Sequence, residues 1–537
     1  MIHTSHHRWY FFLSHVVIST SLLMGCAPQR ETGKSVPPEQ PHKSFTANVI
    51  AEERSSEKVQ SDDNSVVITG DLNSVDWDSH VGKQIVIKGD LTIVDTYDLA
   101  RRGQIKVSRN RLHVPTSRID PNDADANKNS FVGGNNVAKV SEAQKRNDDA
   151  SLIIDDGTAD QNVFPLSLFP ELGKTHPSVR IGSIVHGVSG RLTKERNQIM
   201  IQSNKPLQWS PAERPERPDV GDADITVASF NVLNYFTTID NGQNNARGAD
   251  SESELARQEA KITAAITGLQ ADVIGLMELE NNADAEERLV ATLNKKAGKN
   301  IYKSCGIPVG LGDSPGGDDA IRVGIIYRAD RVSLVGEPSM IDDETFSIAR
   351  TPIVQTFVST QGGRPFTVIV NHFKSKGGAR NADAANKDKG DGQAAYNAAR
   401  RAQSLAICDY IKQNHQNTKQ SRVLVIGDLN AYQQEDPIDA LRANGLVDLH
   451  ERLGQSAPSE SVGLNYTFVY YAQSGSLDHA FATASLAADV TGVSIWHINA
   501  DEPRFMDYNQ EFNPEAVYSA DPYRSSDHDP VLIGIRK

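Results

Sequence analysis

RVLVIGDLN, residues 422–430, runs through four apolar residues, Val423 to Ile426, and stops on Gly427, Asp428 and Asn430. An apolar run this short, bounded by turn residues, is a strand buried on both faces, the kind found in the parallel sheets of α/β proteins. Moving outward from it, similar runs alternate with amphipathic helical patterns. The strands are ITVASFNVL (225–233), DVIGLMELE (272–280), RVGIIYR (322–328), PIVQTFV (352–358), PFTVIVNHF (365–373), YTFVYYA (466–472), SLDHAFA (476–482) and DPVLIGI (529–535). Helices are expected over ELARQEAKITAAITGL (254–269), near 284–296 and over AAYNAARRAQSLAICDYI (394–411). That alternation predicts an α/β body over 225–537.

Polar residues repeatedly close these apolar strands. Each has a plain structural explanation: Asn231 in a turn, Glu278 at a solvated strand end, Asp428 with Asn430 in an Asx turn. Together with His372, Asp478, Asp527 and His528 they make the inventory that phosphodiester hydrolysis requires. Water must be activated, and negative charge on the transition state and departing oxygen must be met. Magnesium, which takes carboxylate and amide oxygens through few protein ligands, suits Glu278 with Asn231. Asp428 and Asn430, two apart on an extended segment, point the same way and orient water and a phosphate oxygen or hold a second ion with Asp527. His528 is the candidate base or phosphate brace, with Asp478 fixing its tautomer. His372 is suited to protonating or stabilising the leaving oxygen. His450, His479 and His497 lack that setting or have a better neighbour, and are set aside.

The strings SFNVLNYF, MELEN, VNHFKSKG, GDLNA, GSLDHAF, WHINADEPRFMDYN and YRSSDHDPV resemble the endonuclease/exonuclease/phosphatase superfamily, and more narrowly its secreted bacterial nuclease branch of ExeM/NucH type. The likeness covers about 225–537 and extends into the preceding segment through PTSRID and LIIDDG. It implies a four-layer α/β sandwich of two face-to-face mixed sheets flanked by helices, like pancreatic deoxyribonuclease. It also implies metal binding by Asn231, Glu278, Asp428, Asn430 and Asp527, with catalysis by His372 and by His528 with Asp478. Magnesium is the expected ion, manganese or calcium the substitutes. Every motif keeps its acting residue, so an inactive relative is not expected.

Upstream, residues 66–209 change texture to short β segments broken by turns, among them SVVITGDL, KQIVIKGDLTIV, GQIKVS, SLIIDDG, GSIVHGVSGRL and QIMIQS. A small all-β domain of OB type is expected, with the polar stretch Asp120–Ala150 as a long loop and Asp155-Asp156 as a turn before Gly157. SPAERPERPDVGDAD, residues 210–224, carries three prolines among charges and is expected to be the linker to the α/β body.

The N-terminus sets the compartment. An apolar run too short and polar to span a bilayer follows a weakly cationic start, as in a signal peptide over 1–25. It ends Leu23-Met24-Gly25-Cys26, which resembles a bacterial lipobox, so Cys26 is the lipidation candidate. Ala27 after the cysteine suggests the outer membrane of a Gram-negative cell envelope; plain secretion is the alternative. Residues 26–65 are too poor in large apolar side chains to fold and would form a tether with a reach of roughly 35 Å. Of the other cysteines, Cys305 and Cys408, oxidising surroundings permit a bridge, but the helical pattern around Cys408 makes a buried thiol the plainer account.

The net charge of −14 over 537 residues gives no basic footprint for nucleic acid. A divalent ion can supply positive charge locally where phosphate docks. Further phosphate contacts are expected from Arg400 and Arg524, whose guanidinium groups suit bidentate recognition. The Lys- and Gly-rich loop 374–392 is either solvated or a backbone contact, and the acidic stretch 240–254 a surface loop. The leading reading is a nuclease acting on DNA, with no protein partner implied. A lipid phosphatase or sphingomyelinase on the same core, or a surface protein that binds nucleic acid without cutting it, are the competing readings.

Overall fold

The apolar runs of residues 225–535 become two six-stranded mixed sheets. The first is ordered Tyr302–Ser304, Ile321–Arg328, Val273–Glu280, Ile225–Tyr235, Val531–Ile535, Val490–Ile495. The second is ordered Val332–Met340, Arg350–Ser359, Phe366–His372, Val423–Asp428, Asp478–Ala482, Val447–Asp448. Each has one parallel pair at its centre, Ile225–Tyr235 with Val273–Glu280 and Phe366–His372 with Val423–Asp428, and antiparallel strands outside. The computed structural model describes residues 65–122, 135–195, 198–311, 319–415, 420–452 and 465–537. The signal peptide expected over 1–25, the lipidation candidate Cys26, the tether up to residue 64 and residues 123–134 of the expected polar loop lie outside the described residues.

The two sheets pack face to face on one apolar core, in which Val227, Met277 and Val323 of the first meet Val368, Val370 and Ile426 of the second. Gly275 shows how close the approach is: a Cβ there would lie 2.7 Å from Val370 and 2.9 Å from Ile426. The outer face of the first sheet is covered by the helices Glu252–Leu269 and Asp284–Ala297, through Leu255, Ile262, Ile266 and Leu289. The helices Asn397–Asn414 and Asp436–Ala443 cover the second through Ile407, Ile411 and Ile438. Each fully buried aliphatic side chain contributes about 1.5–3 kcal/mol, so the layering follows from runs apolar on both faces.

The strands of residues 66–210 form a nine-stranded mixed sheet ordered Val66–Ile68, Gln84–Ile87, Ser189–Glu195, Gln198–Gln202, Leu152–Asp155, Gln104–Ser108, Leu91–Asp95, Ile184–His186, Gln208–Ser210. An OB barrel, the expectation for this stretch, has five strands. One element differs outright. Residues expected as the end of a long loop form a helix, Val137–Ala150, with Val140 its one buried residue. It is held on its exposed face by side-chain pairs four apart, Arg146 with Glu142 at 2.9 Å and Lys145 with Asp149 at 2.6 Å. Asp155 behaves as the turn residue expected, accepting the Gly157 N–H at 2.8 Å.

Ser61–Lys537 is one compact unit, and the joins between its sheets are specific. Phe505, Met506 and Val517, from the segment after WHINADE, belong to the apolar core under the nine-stranded sheet. Arg111 meets Asp501 at 2.8 Å and Arg180 meets Glu502 at 3.3 Å. The proline-rich segment expected as a linker is pinned: Arg214 grips Glu502 at 2.9 Å and Asp521 at 3.3 Å, and Trp496 donates to the Pro215 carbonyl at 2.9 Å. Cys305 and Cys408 are free and buried in different cores, so the bridge does not form. Burial pushes the Cys408 thiol up to about 12. Among the described residues, no helix is long and apolar enough to cross a membrane.

Candidate active site

Strand register gathers the polar strand ends at one edge of the sandwich. His372, Asp428 and Asp478 are direct neighbours across three adjacent strands of the second sheet, His372 paired with Asp428 and Asp428 with Asp478. In the first sheet Asn231 pairs with Met277, which sets Glu278 just beyond it, and Asp527 and His528 precede the strand Val531–Ile535. The carboxyl ends of both parallel pairs therefore share an edge with the entry of the antiparallel strands, where α/β sheets hold ligands.

Asn231 ties the two sheets together at this edge. Its side-chain nitrogen donates to Glu278 Oε1 at 3.1 Å and reaches Asp428 Oδ2 at 3.5 Å, while its oxygen accepts the Leu233 N–H at 3.0 Å. The amide thus turns its N–H groups to the carboxylates. In this orientation it positions them. Glu278 also accepts the Asn234 N–H at 2.9 Å and sits at φ +66°, a left-handed backbone unusual for a glutamate. Asn430 has φ +48°, gives its backbone N–H to Asp428 Oδ1 at 2.9 Å and its side-chain nitrogen to the Phe373 carbonyl at 3.3 Å. Strain of this kind costs about 1–3 kcal/mol per residue and persists where the surroundings fix it. Gly427 is required here: a Cβ would lie 2.0 Å from the Asn371 carbonyl oxygen, at φ +137°.

Two imidazoles flank Asp428. His372 Nε2 is 3.3 Å from Asp428 Oδ2. His528 Nδ1 is 2.7 Å from Asp478 Oδ2, whose second partner is the Thr467 hydroxyl at 2.7 Å. Burial works against ionising Asp428, but the His372 hydrogen bond and the charges of His528 and His372 outweigh it and hold the carboxyl down at about 2. Burial likewise opposes charge on His528, and the carboxylates of Asp478, Asp428 and Asp527 overcome it and hold the imidazole well above its ordinary range. Glu278, His372, Asp428, Asn430 and His528 all line one cavity of about 790 Å³.

Among the described residues, no three His, Cys, Asp or Glu side chains form a ready-made metal cage. Magnesium needs none, since it binds through one or two carboxylates and keeps its waters. The donor set fits such an ion: all oxygen, with Asp527 Oδ1 buried and without a hydrogen-bond partner.

Two expected phosphate contacts are not brought to the site. Arg400 is fully buried, and its guanidinium donates to the carbonyls of Ala395 at 2.8 Å and Gln393 at 2.7 Å. Arg524 donates to the carbonyls of Asn499 at 3.1 Å and Glu502 at 3.2 Å, bracing the loop before Asp527. Arg350, which sequence reasoning passed over, lines the cavity instead, fixed by Asp319 at 3.2 Å and the Phe373 carbonyl at 3.1 Å. Its signal was the one that marked Glu278 and Asp428, a charge at the end of an apolar strand, here RTPIVQTFV.

Other residues hold the loop 525–529 that presents Asp527 and His528. Asn499 accepts the Ser525 N–H at 2.8 Å and donates to the His528 carbonyl at 2.7 Å; Asp529 accepts the Asn499 N–H at 2.7 Å and meets His497 at 2.8 Å. Lys376, from the Lys- and Gly-rich loop, lines the cavity and is bound to buried Glu435 at 2.5 Å, and burial pushes its amine down to about 8. His450 and His479 are core residues packed ring to ring at 5.0 Å, and burial pushes His450 down to about 3.

The model of the Endonuclease/Exonuclease/phosphatase family matches residues 228–528. No curated protein matches the chain. Among solved structures, the chain is similar to a mannosyl-6-phosphatase of Bacteroides thetaiotaomicron, at 16% identity over 58% of this chain and 99% of that one, with a TM-score of 0.37. It is similar to the catalytic domain of human Nocturnin with a bound sulfate anion, at 16% identity over 58% and 95%, with a TM-score of 0.36. It is also similar to TDP2 of D. rerio complexed with a single strand DNA product, at 16% identity over 57% and 97%, with a TM-score of 0.36.

Proposed function

The chain belongs to the endonuclease/exonuclease/phosphatase family, whose members hydrolyse phosphoester bonds and generally use a divalent metal, and from that premise we propose that it is a magnesium-dependent phosphodiesterase that cuts DNA outside the cytoplasm. One observation carries this reading: Asp428 stands between His372 and the amide that also holds Glu278, with Asp478 on the adjacent strand meeting His528 from the loop that enters the other sheet. Carboxylates for a cation and two imidazoles for proton work then face one cavity.

When bound, the ion supplies a Lewis acid that polarises the phosphate and offsets charge on the departing oxygen. Glu278, Asp428, Asn430 and Asp527 are the oxygen donors that would hold it. The chain's own groups do the rest. Asp478 commits Nδ1 of His528, which leaves Nε2 to hold or take a proton at the cavity side. His372, tethered to Asp428, is suited to meet the leaving oxygen. Arg350 offers fixed positive charge to a phosphate at the same wall. We take the sandwich to be of the type in pancreatic deoxyribonuclease and the branch to be the secreted bacterial nuclease one, with residues 66–209 as its β companion. The lipobox-like LMGC and the polar segment after it support attachment through Cys26 to the outer membrane, with the enzyme held clear of the surface.

The experiment is direct. Mature protein is incubated with circular and linear DNA, with RNA and with phospholipid, across magnesium, manganese and calcium. Plasmid nicking that EDTA abolishes is the expected result; release of phosphate or choline from lipid with DNA left intact overturns the reading.

A further inference from the structure

Beyond the catalytic groups, the cavity has a second kind of lining. Phe468 tilts against the His528 ring with centroids 4.7 Å apart. Tyr470 lies 6.4 Å from Phe468 with the planes within 18° of parallel, and Tyr471 meets Tyr470 edge-on at 4.4 Å. Lys106 closes the series with its ammonium 5.7 Å from the Tyr471 ring. A row of π faces thus runs from the catalytic imidazole to the nine-stranded sheet. Its outer members are open to solvent, Tyr470 at 57% and Tyr471 at 69% exposure.

Large aromatic rings are seldom left this exposed side by side without cause, and their placement is enforced. The strands Phe468–Tyr470 and Gln473–Gly475 form a hairpin whose two-residue turn is Tyr471-Ala472, with φ of +46° and +67°. Such a turn favours Asn-Gly, because both positions need left-handed backbone. A tyrosine in it accepts strain and points a ring outward. The hairpin is held by the N-terminal part of the chain: Leu112–His113 pairs with it as a parallel strand, and Asn147 of the helix Val137–Ala150 donates to the His113 carbonyl at 2.8 Å and to Gln473 at 2.7 Å.

We infer that Tyr470 and Tyr471 form a stacking platform for the unpaired bases of a single strand whose phosphate lies at His528. The inference rests on the nuclease reading and adds a substrate form to it: single-stranded DNA or a frayed end. Charge alone cannot give the grip, because the chain carries a net −14 and lacks the basic footprint of most nucleic-acid binders. Stacking can, since every base has a π face and each base–aromatic contact is worth a measurable share of affinity that salt hardly screens. Lys106 adds a cation where the strand would leave the platform.

The test uses full-length protein and three probes: a labelled single-stranded oligonucleotide, the same oligonucleotide with abasic sugars in place of nucleosides, and bis(p-nitrophenyl) phosphate. Fluorescence anisotropy should show wild type binding the oligonucleotide about tenfold more tightly than the abasic strand. Tyr470→Ala with Tyr471→Ala should erase that difference, Tyr470→Phe with Tyr471→Phe should keep it, and hydrolysis of the nitrophenyl ester should be the same in all three proteins. Equal binding of the two strands by wild type, or a preference that survives the alanines, overturns the platform. Failure to hydrolyse any phosphodiester, with the binding preference intact, overturns the nuclease reading and leaves the platform standing.

Discussion

Asp478 and His528 lie 50 residues apart in the chain and meet at 2.7 Å with both side chains buried. Thr467 completes the contact by donating to the same Asp478 oxygen, and its own backbone carbonyl accepts the Asp529 N–H at 2.8 Å. The imidazole is therefore fixed from two sides, in ring orientation through Nδ1 and in backbone position through the neighbouring residue.

Asp478→Asn keeps the shape of that contact and removes its charge. The turnover of bis(p-nitrophenyl) phosphate should fall by about 10⁴, the size seen when an imidazole loses its orienting carboxylate. Thermal melting measured alongside should move little. A loss of less than tenfold would show that His528 works without Asp478.

Glu278 is the carboxylate that Asn231 and the Asn234 N–H aim at the cavity. Glu278→Gln should raise the magnesium concentration for half-maximal activity by at least about tenfold, and EDTA should silence the wild type. Titrating magnesium against initial rate checks both, and an unshifted curve would remove Glu278 from the ion's surroundings.

Arg400 serves as an internal brace. Arg400→Ala leaves the carbonyls of Ala395 and Gln393 without their charged donor and opens a cavity, so unfolding free energy should drop by about 3 kcal/mol. Urea melts report this. KM for a phosphodiester should stay within about twofold, whereas a phosphate contact would change KM and spare stability.

Asp439 is buried 3.2 Å from Arg442 and beside Asp120. Burial, with the Asp120 carboxylate, pushes it up to about 8 despite Arg442. An unfolded aspartate titrates near ~3.9, so across the interval between these values the native protein keeps a proton that the unfolded chain gives up. Stability therefore falls as pH rises from about 4 to about 8 and levels above, at no more than about 1.4 kcal/mol per pH unit. Asp439→Asn should lessen that fall, melting above wild type near about pH 8 and converging with it near about pH 4. Parallel melting profiles would contradict the assignment.

Much of the catalytic body was legible because strands apolar on both faces leave few reasons for a terminal Asn, Glu, Asp or His. Glu278, His372, Asp428, Asn430, Asp478 and His528 followed from that contrast, and register brings them together. What failed was telling where a long cationic side chain points. Arg400 occupies a helix whose pattern suits either a buried or an exposed guanidinium, and only the carbonyls around it decide. The helix Val137–Ala150 escaped because it buries one residue, so periodicity has almost nothing to report; its signal was the pairing of opposite charges four apart. Thr467, Asn499 and Asp529 were present in the quoted strings, but a residue that acts by holding another leaves no mark of its own in a single sequence.

The parallel pairing of Leu112–His113 with Gln473–Ser474 means that the phosphoesterase half is not a detachable module. A fragment trimmed to residues 225–537 would bare a sheet edge beside Thr467, uncover Phe505, Met506 and Val517, and leave Asp501 and Glu502 without Arg111, Arg180 and Arg214. Such a fragment is expected to aggregate on expression, and a soluble, active one would show otherwise. Inheritance and engineering alike would then have to treat the two halves as a single indivisible piece.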